Sequence, residues 1–298
     1  MHDCSHQLSE DLSWLVRALE SPLVAATPLS VLSVSPAFHL EFLDGRVLKG
    51  RQLRSTMEAE RIEYILRSVG HPCFPHVLAR HRTAILNDWI DGTPLNHVPL
   101  TPDLARRCGA LHAVLHSSPL PADNPYQPRS AHRSAGRLRQ ELDQLVRAGL
   151  IEEREARVLL ALALDHAPAN FAAGFVHGDF CSENIVQRES GELCVVDNDT
   201  LTVDAMDYDL GRSWYRWPMS PPLRAAYLAG YDSRRSSHDF VTHFPHWAIA
   251  AAVAGAVFRL RHRPQSTDAP ISRLRLVLRH CTSSVPTGEV LLWLCESP

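Results

Sequence analysis

The sequence predicts an α+β protein built as two lobes, a small β-rich one followed by a larger helical one. Three observations lead there. The chain has 298 residues, 45% of them apolar and 21% charged, the balance of a globular protein with a buried core and, at roughly 100 to 200 residues per domain, room for two lobes. Strand-like runs gather before residue 91. Helical periodicity dominates after residue 100.

Taken in order, Leu8, Leu12, Trp14, Leu15 and Leu19 recur at helical spacing, so residues 8–20 read as a short amphipathic helix. Strand-like runs follow at 29–34, 38–43 and 46–50, the last two joined by Asp44-Gly45, a strong hairpin signal. A helix is expected over 55–69, stopped by Gly70-His71-Pro72. Two more strands at 77–79 and 83–90 lead into Asp91-Gly92-Thr93-Pro94, which punctuates the chain, and a short hinge is expected near Asp88 to Gly92. The expected lobes are therefore 1–91 and 92–298. In the second, helices are expected near 102–116, 133–148, 152–165, 222–230, 245–260 and 271–280, interrupted by a strand and hairpin between 175 and 196.

Composition excludes several classes of function. Thirty basic against thirty-three acidic residues leave a net charge of −3 and no basic run, so no footprint for nucleic acid or anionic lipid is present. The longest nearly apolar run, 247–258, is too short to span a bilayer, and the acidic, apolar-poor start is not a secretory leader. Seven scattered cysteines without a Cys-x-x-Cys pair fit free thiols in a reducing cytoplasm. Among the thirty basic residues only Lys49 is a lysine. In so arginine-rich a chain, that lysine marks a place where a planar guanidinium does not substitute for a compact ammonium.

The densest polar cluster is His177-Gly178-Asp179-Phe180-Cys181-Ser182-Glu183-Asn184, followed by a turn and an apolar strand that delivers Asp197. Phosphoryl transfer needs one carboxylate beside the attacking hydroxyl and hard oxygen ligands for Mg2+ at the nucleotide phosphates. Asp179, with Asn184 five positions on and Asp197 across the hairpin, supplies that set. No Gly-x-Ser-x-Gly elbow, phosphate-loop signature or dinucleotide fingerprint occurs. His112 and His116, one helical turn apart, lack the glutamate of a zinc peptidase and read as packing residues.

On these residues the chain resembles the aminoglycoside phosphotransferase and choline kinase family, whose catalytic loop reads His-Gly-Asp-x-x-x-x-Asn. The resemblance implies a protein-kinase-like fold, with 1–91 as the nucleotide-binding lobe, 92–298 as the catalytic and acceptor-binding lobe, and nucleotide in the cleft between them. It implies transfer of the γ-phosphate of ATP or GTP, with Mg2+, to a hydroxyl of a small molecule. Asp179 would be the base, Asn184 and Asp197 the metal ligands, and Lys49 the phosphate clamp, paired with Glu60 or, failing that, Glu63 on the next helix. Main-chain groups near Asp88 and Ile90 would read the adenine, and Asp209 of Asp207-Tyr208-Asp209-Leu210 would buttress the catalytic loop.

Three further expectations complete the reading. The stretch expected to cover the phosphates, Ser33-Val34-Ser35-Pro36-Ala37-Phe38, has no glycine and approaches phosphate less closely than a glycine-rich loop does. A catalytically silent, nucleotide-binding scaffold is therefore the rival function. Asp199, Asp204 and Asp207, with Trp214, Tyr215 and Trp217, read either as a solvated turn over ordinary core or as an acceptor pocket for a cationic alcohol such as an aminoglycoside or amino alcohol.

Overall fold

The computed structural model describes residues 8–29, 35–128 and 135–281. The chain divides into two compact units, the first formed by 1–97 with 183–202 and the second by 98–182 with 203–298. A single division after residue 91 is what the sequence suggests; the structure instead returns 183–202 to the first unit. The cause is strand pairing: β6 (Thr93–Pro94), β8 (Ile185–Gln187) and β9 (Leu193–Val195) form one small antiparallel sheet.

The main sheet of the first unit has five antiparallel strands in the order β1-β2-β3-β5-β4. They are β1 (Leu23–Pro28), β2 (Ala37–Phe42), β3 (Val47–Gln52), β4 (Val77–His81) and β5 (Ala84–Asp88). The hairpin expected at Asp44-Gly45 joins β2 to β3, with Gly45 at a positive φ of 84°. The strand expected at 29–34 is not the one that opens the sheet: β1 lies earlier, and residues 30–34 fall outside the described residues. As an edge strand β1 is partly exposed along its length, so it shows little alternation, and Pro28 sits at its end where a missing N–H is tolerated.

Alternation along β3 and β5 sorts the side chains onto two faces. Leu48 on β3, with Ala84 and Leu86 on β5, packs against Leu12, Leu15 and Val16 of α1 (Glu10–Arg17). Each leucine buried there is worth roughly 1.5–3 kcal/mol. Gly50 belongs to the same face, where a Cβ would strike Leu40 and Leu12, so the glycine lets α1 sit close. The opposite parity, Lys49 and Arg51 with Ile85 and Asn87, faces a cavity. Helix α2 (Thr56–Val69) follows β3 as expected, capped by the Ser55 hydroxyl on the Glu58 N–H and ended by Gly70 in the left-handed conformation.

The second unit is helical: α3 (Pro102–Ser117), α4 (Ala135–Arg147), α5 (Glu153–Asp165), α6 (Met206–Arg216), α7 (Pro221–Asp232), α8 (His238–Thr242), α9 (Phe244–His262) and α10 (Asp268–Cys281). A two-stranded sheet of β7 (Ala173–Val176) and β10 (Thr202–Ala205) accompanies them. Helix α9 is buried almost all round and packs against α4, α5, α6 and α10, which accounts for its apolar sequence. Among the described residues no helix is long and apolar enough to cross a membrane. Residues 177–182, which carry Asp179, continue directly from β7.

Candidate active site

In the first unit, a cavity of about 390 Å³ lies against the sheet. Lys49 and Arg51 point into it from β3, Asp88 and Ile90 line it at and beyond the end of β5, and Asp197 and Asp199 line it beyond the end of β9. Lys49 Nζ stands 3.6 Å from Asp197 Oδ1. Burial, and then the neighbouring Arg51 guanidinium, push the Lys49 ammonium down to about 8, partly offset by Asp197. Arg51 Nη2 donates to Asp197 Oδ1 at 2.5 Å, and its Nη1 pairs with Asp199. Asp197 itself adopts a left-handed backbone, φ 58° and ψ 51°, uncommon for a residue with a side chain.

The donor set suits a hard divalent cation. Asp197 and Asp199 offer carboxylates that are already gathered around positive charge, and the buried Asn198 Oδ1 has no hydrogen-bond partner. Asn184 is also buried, at the end of a short 3-10 turn, with its carbonyl accepting from the Val196 N–H at 2.8 Å. Glu60 is elsewhere: its carboxylate lies 3.7 Å from Arg80 Nη1, and Glu63 is held by Arg80 and Arg67. The expected pair between Lys49 and Glu60 is thus not among the ion pairs of the described residues, nor is the fallback with Glu63, because Arg80 on β4 takes both glutamates while Lys49 turns to Asp197.

The second unit carries Asp179. Arg216 Nε donates to its Oδ1 at 2.8 Å, Arg216 Nη2 lies 3.4 Å from Oδ2, and Arg212 Nη2 lies 3.6 Å from Oδ1. Arg212 also donates to the Gly178 carbonyl, so α6 grips the loop at two points. Beneath, the fully buried Asp209 accepts the His177 and Gly178 backbone N–H groups, both at 2.8 Å. His112 Nε2 and His116 Nε2 reach the same carboxylate at 3.0 and 3.2 Å.

An ionised carboxylate only accepts, so each imidazole carries its proton on Nε2 and its Nδ1 accepts from a tyrosine hydroxyl, Tyr227 at 2.5 Å and Tyr231 at 2.8 Å. Burial alone would raise the Asp209 carboxyl, but the hydrogen bonds donated by the two histidines hold it well below the ordinary range. Burial likewise lowers His116 to about 4. Asp209 therefore buttresses the His177-Gly178 turn, and the histidine pair is spent on hydrogen bonds.

The phosphotransferase enzyme family matches residues 74–244, more than half of the sequence. The chain belongs to the phosphotransferase enzyme family. Solved structures place this phosphotransferase in the protein-kinase-like fold. An ethanolamine kinase of Plasmodium vivax superposes with a TM-score of 0.64 at 12% identity, covering 85% of this chain and 82% of its own. A choline kinase of Cryptosporidium parvum gives 0.59 at 14% identity, with 86% and 88% covered. An ADP-bound aminoglycoside phosphotransferase gives 0.61 at 13% identity, with 90% and 97% covered. Comparison with curated protein sequences finds no match.

Within the phosphotransferase, the structure brings together Lys49, Asp88, Ile90 and Asp197 around one cavity of the first unit and sets Asp179 in the arginine-held loop of the second. Two features escaped sequence reasoning. Arg51 was detectable, since a strand places residues 49 and 51 on one face. Arg216 was not, because its contact with Asp179 joins residues 37 positions apart. Of the aromatic residues considered for an acceptor pocket, Trp214, Tyr215 and Trp217 are 2%, 5% and 6% exposed. Trp214 packs edge-on against Phe244, and Trp217 against Tyr227.

Proposed function

We propose that this phosphotransferase moves the γ-phosphate of ATP or GTP, bound with Mg2+, to a hydroxyl of a small molecule. The observation that carries the reading is the chain's single lysine, set on Asp197 inside a cavity that the hinge residues Asp88 and Ile90 also line. Lys49 would hold the α- and β-phosphates, and main-chain groups near Asp88 and Ile90 would read the base. Asn184 and Asp197 would hold Mg2+, which when bound neutralises charge on the phosphates. Asp179 would orient the acceptor hydroxyl and take its proton, with Arg216 and Arg212 fixing the direction of its carboxylate. Rate enhancement then comes from positioning and electrostatics, with no covalent enzyme intermediate.

The neighbours named for ethanolamine, choline and aminoglycosides direct the acceptor screen toward amino alcohols and amino sugars. Nucleotide consumption over such a panel, beside a thermal-shift titration with nucleotide and Mg2+, tests the reaction. Asp179→Ala should lower turnover by about 10² to 10⁴-fold and leave nucleotide binding in place; full activity in that variant would remove Asp179 from the role. The scaffold reading has its own observation, the glycine-free stretch before Phe38. It predicts a thermal shift with nucleotide and no consumption with any acceptor.

A further inference from the structure

We propose that Arg51 is a second phosphate-binding cation of the nucleotide site, and that in the free protein it holds the two carboxylates a divalent cation would otherwise share. The inference rests on the nucleotide reading above and assigns that site a residue to which no role has yet been given. Arg51 follows Lys49 by two positions on β3 and lines the same cavity, its side chain 10% exposed. Its two terminal nitrogens engage Asp197 and Asp199, while its buried Nε has no hydrogen-bond partner. A buried donor left unmet is costly, so the two carboxylates do not fully satisfy this guanidinium.

Charge points the same way. Lys49 and Arg51 balance Asp197 and Asp199 one for one, so a polyphosphate adds negative charge that this set meets only if the carboxylates are taken by another cation. A guanidinium fork matches phosphate oxygens in pairs, which an ammonium does not. The described part of the covering stretch, Ser35-Pro36-Ala37-Phe38, contributes no glycine, and Pro36 has no N–H to offer. Arg51 supplies from the sheet the donors that this stretch lacks. On nucleotide binding the guanidinium exchanges carboxylate for phosphate and leaves Asp197 to the metal. Metal and nucleotide therefore bind together, and metal alone binds weakly.

The test is equilibrium binding to the intact chain: Mn2+ alone by electron paramagnetic resonance, and ATP with and without Mg2+ by calorimetry, for wild type, Arg51→Met and Arg51→Lys. Arg51→Met should bind Mn2+ alone about tenfold more tightly and Mg2+-ATP about 10 to 100-fold more weakly, the loss of one or two charged hydrogen bonds. Arg51→Lys keeps the charge without the fork, so it should leave Mn2+ binding weak and still lose affinity for ATP. It also serves if the methionine variant does not fold. Nucleotide affinity within twofold of wild type in a folded variant, or weaker Mn2+ binding in Arg51→Met, overturns the assignment while the nucleotide reading stands. A wild type that binds no nucleotide overturns both.

Discussion

Asp197 and Asp209 are both aspartates surrounded by donors, and they are surrounded in opposite ways. The Asp197 side chain is 46% exposed and is met by two cationic side chains from β3, Lys49 and Arg51. The Asp209 side chain is wholly buried and is met by two backbone N–H groups and two histidines whose other nitrogens are themselves bonded. Partners of the first kind meet a carboxylate that stays open to solvent on one side, where a ligand or cation can approach and take their place. Those of the second kind cannot be replaced, since every group released would be left unmet in a dry interior. One carboxylate is thus built to change hands and the other to hold still.

Removing Asp209 should break the contrast most severely. Asp209→Ala strands the His177 and Gly178 N–H groups and two imidazoles, and chemical denaturation should show a loss of about 3–5 kcal/mol; a midpoint unchanged from wild type would deny the carboxylate its structural role. Asp197→Asn should do the reverse, abolishing phosphate transfer while stability moves by less than about 1 kcal/mol, and a large loss of stability would erase the distinction.

Tyr227→Phe sharpens the comparison by deleting one hydroxyl of the buried network, which bonds to His112 and lies 3.3 Å from the Ser213 hydroxyl. A cost of about 0.5–1.5 kcal/mol is expected, and an unchanged denaturation midpoint would show that the hydroxyl does not support His112.

A further contrast is a pH dependence at Asp207. Burial and then Asp239 raise its carboxyl to about 6, against 3.8 for the ordinary group. The folded state then binds this proton more tightly than the unfolded state, so its contribution to stability falls as pH rises from about 4 to about 6. His116 has the opposite sign: held near 4 instead of 6.5, it favours folding as pH rises through that window. Melting temperatures from pH 4 to 8 should therefore climb more steeply in Asp207→Asn than in wild type, and parallel curves would contradict the shift.

Much of this was legible in the sequence where local chemistry dominates. Ser55 and Gly70 mark α2 at both ends, Asp44-Gly45 turns the hairpin, and the spacing of Asp179, Asn184 and Asp197 follows the order of the loop and strand that carry them. Elements fixed by distant partners were harder to read. β1 is an edge strand with little alternation, and β6 and β8 have only two and three residues, too few for any period to show. Partner choice was harder still. Three glutamates lie on α2, and nothing within that helix says that Arg80, 17 residues beyond Glu63, would claim that residue and Glu60 as well.

The return of residues 183–202 to the first unit also sets an order in time. A ribosome adding about 5–20 residues per second releases 1–97 several seconds before the segment that completes them. Until then β6 lacks its strand partner, and Lys49 and Arg51 have no Asp197 or Asp199 to face. The nascent first unit must wait with two like charges side by side on one strand face, while 98–182 emerges between its halves. Pairings between residues 146 positions apart close late, because loop closure over such a span costs entropy before any contact repays it.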